Sequence, residues 1–163
     1  MMTRGDAMSD KFEGQVEFER KLKQLSHDAR RKIANPVINA GLRVLADGIK
    51  SQIPPEYVGL ASLVGKRIDR SGSGNGEVIG KVGLGVGRRG SRTKARKRGG
   101  VGISANNIHW LVLGTKERAT KAGANRGVMP AVLAHCVPNG IAYSNAAAIA
   151  EMERVFKEQM KNR

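Results

Sequence analysis

Apolar side chains recur at three- and four-residue steps over the first third of the chain. Phe12, Val16, Leu22 and Leu25 are followed by Ala29, Ile33, Val37, Ala40, Val44, Leu45 and Ile49, with Lys, Arg, Asp and Glu between them. This is the pattern of helices that turn one stripe toward a core. Ser26 and Asp28 offer N-cap oxygens in mid-stretch, so the spacing predicts a short helix near 10–25 and a longer one near 27–52. Pro36 falls inside the second, where the lost N–H and the ring predict a kink or a restart, and Pro54-Pro55 end it. Leu60, Leu63, Val64 and Ile68 are too few to separate a short helix from the start of a strand. Ser71 to Gly76 is a small, polar turn. Residues 78–87 alternate, with Val82, Leu84 and Val86 on one face and glycines on the other, which predicts a strand open to close backbone approach. Val101 to Ile103 and Ile108 to Leu113 read as a second strand pair stopped by Gly114-Thr115. Ile149, Met152, Val155, Phe156 and Met160 return to helical spacing and predict an amphipathic helix over 146–160. N-terminal helices, a small central antiparallel sheet and a closing helix make an α+β fold. Residues 1–25 form an N-terminal extension or short helix and 26–163 a single domain, with long loops at 88–100 and 116–127.

Composition narrows the picture. At 163 residues the chain suits one domain, and with aromatics at 4% its core must rest on Leu, Ile, Val and Ala. Lys and Arg number 29 against 14 acidic residues, a formal charge of +15, which speaks to partners rather than to fold. The excess is uneven: residues 51–122 hold fourteen basic against four acidic side chains. Within that segment Arg88, Arg89, Arg92, Lys94, Arg96, Lys97 and Arg98 fall together without an acid. Such a run is expected to repel itself and to contact phosphates or an acidic partner. With no aromatics interleaved, it suits backbone contact without sequence preference better than base stacking.

Catalytic chemistry is poorly supplied. His27, His109 and His135 are widely spaced and form no metal-binding pair, so neither a metal nor a cofactor is expected. Cys136 is the only cysteine, which excludes an internal disulfide and a Cys-rich zinc site and suits a buried, inert thiol. It follows His135 directly, and neighbours in an extended segment point to opposite faces, so the two make no dyad. Gly83-x-Gly85 lacks the Gly-Lys-Ser/Thr and the following helix of a phosphate loop; close packing or strand bending explains it better. The first ten residues hold Arg4, Asp6 and Asp10 and no apolar run, so neither secretion nor membrane insertion is expected and the chain reads as cytosolic in origin. Trp110 suits either the core or, with Met129 and Pro130 nearby, a subunit interface.

In order along the chain, these pieces resemble the small tail-completion and minor tail proteins of the head-to-tail junction of long-tailed bacteriophages, lambdoid type. Arg30-Arg31-Lys32-Ile33 through Ile49 to Ile53-Pro54-Pro55 resembles the family's basic helix ending at proline. Gly59-Leu60-Ala61-Ser62-Leu63 is similar to its turn into the sheet, and Trp110-Leu111-Val112-Leu113-Gly114-Thr115 to its Glu-Phe-Gly-Thr type strand end. Val128-Met129-Pro130-Ala131 and the helix from Ala146 to Met160 resemble its Met/Pro-rich segment and C-terminal helix. The resemblance implies a structural role without an active site, as a ring-forming subunit beside portal, neck or tail proteins, located in the virion after assembly in the host cytoplasm. Trp110, Leu113, Gly114, Thr115, Met129 and Pro130 would then lie at the subunit interface, with the basic run making non-specific contact with DNA. The alternative is a nucleic-acid-binding protein of ribosomal or nucleoid type, in which Arg88 to Arg98 carries the activity.

Overall fold

A computed structural model of the chain describes residues 20, 23, 27–69, 78–87, 103–117, 123 and 127–161. Of the helix expected over 10–25, only Arg20 and Lys23 fall among them, both helical; the expected turn at 71–76 and the basic loop at 88–100 lie outside. The fold is α+β: two long helices, a two-stranded antiparallel sheet and two short helical segments.

Helix α1 spans His27–Ser51 and runs on through Pro36, so the expected restart does not occur. Pro36 and Lys32, whose carbonyl loses its helical partner there, are both exposed, and water can take the place of the missing N–H. Beyond Pro54 a 3-10 helix covers Pro55–Leu63, with proline in its first turn. It passes directly into β1, Val64–Asp69, so both readings of the 60–68 stretch are realised in succession. β2, Ile79–Leu84, pairs with β1 in a register running from Val64↔Leu84 to Asp69↔Ile79.

Strand alternation divides the hairpin into two faces. Val64, Lys66 and Ile68 share one with Leu84, Val82 and Gly80, and this face meets α1. The Lys66 ammonium donates to Asn39 Oδ1 on that helix. Gly80 therefore lies on the same face as Val82, not on the opposite one as alternation suggested. A Cβ there would come within 2.7 Å of Leu42 and 2.8 Å of Ile38, so the glycine admits helix side chains rather than another backbone. The outer face carries Arg67, Lys81, Asp69 and Ile79, with Lys81 and Asp69 paired at 2.6 Å.

Two elements depart from the sequence pattern. The expected strand at 108–113 is a short helix, α2, His109–Leu113. Asn107 decides it: its side-chain oxygen accepts the Ser104 N–H at 2.5 Å, while the N–H groups of Asn107 and Ile108 donate to the Ser104 carbonyl. A side chain that closes a turn in this way diverts the backbone from a ladder. The last helix, α3, covers Cys136–Lys161 and begins ten residues before the expected start. Pro138 stands in its first turn, where no intrahelical N–H bond is lost.

The early half of α3 has no apolar stripe because its contact with α1 is made by small residues. Gly140, Ser144 and Ala148 form a buried row at four-residue steps. A Cβ on Gly140 would sit 2.5 Å from Ile49 Cα, one on Gly48 2.2 Å from Ser144 Oγ, and one on Gly41 2.4 Å from Met152 Sδ. The helices thus run antiparallel with their backbones nearly touching at the Gly48–Gly140 end. Ile49, Leu63, Val64 and Leu133 are almost fully buried in the main cluster with Ile53, Leu60, Ile103, Ile108, Leu111 and Cys136. Among the described residues the buried hydrophobics are aliphatic apart from Cys136, as the composition required.

Candidate subunit-interface site

Ser104 to Asn107 turns the chain, and Trp110 and Leu111 continue the tight pattern by donating to the carbonyls of Asn107 and Ile108, each at 3.0 Å. That winding sends Ile108 and Leu111 into the core and leaves His109 and Leu113 outside. Trp110 is half-buried, its ring edge-on to His109 at 5.8 Å. Gly114 ends α2 at φ +71°, and a Cβ there would lie 3.1 Å from the Met129 carbonyl oxygen. Both the conformation and the close approach call for glycine.

The next residue locks two distant segments together. Thr115 donates its N–H to the Met129 carbonyl at 2.8 Å, and the Met129 N–H donates to Thr115 Oγ1 at 2.9 Å. Leu133 donates to the Leu111 carbonyl at 2.8 Å, tying the same segment to the core. The structure therefore brings Gly114, Thr115 and Met129 into one corner, next in the chain to Leu113 and Pro130. Leu113 is 77% exposed and Val128 65%, and Pro130 is exposed as well. A corner held rigidly by paired hydrogen bonds, yet presenting large aliphatic side chains to water, can serve as a preformed contact surface. Trp110 braces it from a half-buried position, between the two roles the sequence left open.

The other expected contact residues, Arg88, Arg89, Arg92, Lys94, Arg96, Lys97 and Arg98, lie outside the described residues. The last described position before them is Gly87, at φ +63°, where a Cβ would approach the Lys66 carbonyl at 3.2 Å and Arg67 Cβ at 3.6 Å. The basic run thus departs from the hairpin beside Arg67. Gly85, with φ +80°, turns the chain there, in keeping with glycines that bend a strand rather than cradle a phosphate.

Cys136 is buried while His135 is exposed, the opposed placement expected of neighbours. The Cys136 thiol donates to the Gln52 carbonyl at 3.3 Å, and burial pushes its pKa up, the reverse of what a nucleophile needs. No group of His, Cys, Asp and Glu among the described residues is placed to hold a metal ion. No described helix is long and apolar enough to cross a membrane. Sequence reasoning missed Val128, Ile141 and Tyr143 as exposed apolar positions; the legible signal was the absence of any charged residue from Cys136 to Ala150. Compared with protein-family models, curated proteins and solved structures, the chain finds no match.

Proposed function

We propose that this chain is a structural subunit of a bacteriophage virion, at the head-tail junction, packing with further copies into a ring around the DNA channel beside neck, portal or tail proteins. One observation carries the reading: the corner where Thr115 and Met129 exchange hydrogen bonds and leave Leu113 and Val128 exposed. Its two halves are the Gly-Thr and Met-Pro segments that resemble the motifs of phage tail-completion proteins. A rigid turn bearing aliphatic side chains is what a neighbouring subunit can grip. The role needs no acid, base or nucleophile. The charge of residues 51–122 suits a subunit whose basic run, Arg88 to Arg98, touches DNA without reading its sequence.

The test is electron microscopy of particles isolated from the source, with the chain located by its density. The expected result is a closed ring between head and tail. Absence from particles, together with recovery on RNA or chromosomal DNA that is lost as salt rises, would overturn it in favour of a ribosomal or nucleoid type of nucleic-acid binder.

A further inference from the structure

Helix α3 changes character halfway along. From Cys136 to Ala150 it has no charged residue, whereas Glu151 to Lys161 contains six. The second half is an ordinary solvated helix surface, with Arg154 bridging Glu151 at 2.8 Å and also meeting Glu158. In the first half, after Cys136, only Gly140, Ser144 and Ala148 are buried, against α1. Pro138, Asn139, Ile141, Ala142, Tyr143, Asn145, Ala146 and Ala147 are exposed. Tyr143 stands 78% exposed among alanines and asparagines. Depletion of charge around an exposed aromatic is the composition of an interface centre rather than of a free surface.

We infer that this charge-free face of α3, centred on Tyr143, receives a second copy of the same chain. The charge balance selects the occupant. An acidic protein or a nucleic acid would be held by cations, and this face has none. A second copy carries the same formal +15, so contact between copies is least opposed where neither presents a charge. Long-range repulsion between the copies remains, and salt screens it. The inference rests on the ring reading, to which it adds the face that associates. A ring needs a head-to-tail contact between two different patches, and α3 supplies one beside the Leu113–Val128 corner.

Sedimentation velocity of the full chain over a concentration series, at low and high salt, provides the test. The expected result is self-association that strengthens as salt rises, opposite in sign to phosphate binding. Tyr143→Glu should weaken it by about 10-fold or more, the scale of an interface anchor. Lys157→Glu, on the charged half, should leave it intact. Both substitutions are at exposed sites, so unchanged circular dichroism and melting temperature would show that folding is not the cause. A wild type that stays monomeric under all conditions, or a Tyr143→Glu variant that associates as before, overturns the inference. The two readings fail separately. Particles holding a ring of Tyr143→Glu subunits would remove this face and keep the ring. Association lost in Tyr143→Glu, with the chain absent from particles, would keep this face and remove the virion role.

Discussion

The Cys136 thiol donates to the carbonyl of Gln52, one residue beyond α1, in a buried site that raises its pKa. Because the folded value lies above the unfolded one, about 8.5 for a free thiol, its contribution to stability is complete below that pH. It is lost as pH rises through the folded value. Unfolding free energy should therefore fall more steeply above about pH 8.5 in the wild type than in Cys136→Ala. A thiol reagent at neutral pH should label the native protein far more slowly than the unfolded chain. Equal rates, or parallel pH profiles, would show that the site is open. The inert role of this cysteine was legible from its being alone in the sequence. The Asn107 side chain that turns residues 104–108 away from a strand was not, because one hydrogen bond to a backbone N–H leaves no mark on hydrophobic periodicity.

Helices α1 and α3 meet through absent side chains as much as through present ones. Gly140→Val would force three carbons into a space where a Cβ alone would lie 2.5 Å from the Ile49 Cα. The expected cost is at least the ~1–3 kcal/mol of core overpacking, since backbone cannot rotate aside as a side chain can. Thermal unfolding should show it as a marked drop in melting temperature. Ala147→Val, exposed on the same helix, should cost only the few tenths of a kcal/mol, about, that separate valine from alanine in helix propensity. Equal effects would argue against the close approach. This contact also explains why periodicity found α1 and the second half of α3 but missed the first half. Large apolar residues at helical steps, such as Ile149, Met152 and Phe156, are visible in a sequence; a row of Gly140, Ser144 and Ala148 looks like a loop. Pro138 and Asn139, read alone, point the same way.

Across the whole molecule, the α+β layering followed from the order of periodic segments, and the hairpin from the alternation after residue 78. The interface corner was half legible: Gly114-Thr115 and Met129-Pro130 stood out as punctuation and as resemblance, but their hydrogen-bonded union spans fourteen residues that carry no pairing signal. On the ring reading, Leu113→Glu should fold normally, because its side chain is largely in water, yet fail to enter particles. Incorporation of the variant at wild-type levels would leave the corner without that role.

The seam between the two long helices also has a mechanical meaning. Sliding α3 along α1 by one helical turn, about 5.4 Å, would bring Val44 or Leu45 toward the row that now faces Gly48, and neither side chain fits there. The pair cannot creep by small steps under shear, since each intermediate position is blocked by a side chain where a hydrogen now stands. It behaves as a notched strut of fixed length, so a pull on the C-terminal end reaches the Leu133–Leu111 junction without being absorbed on the way.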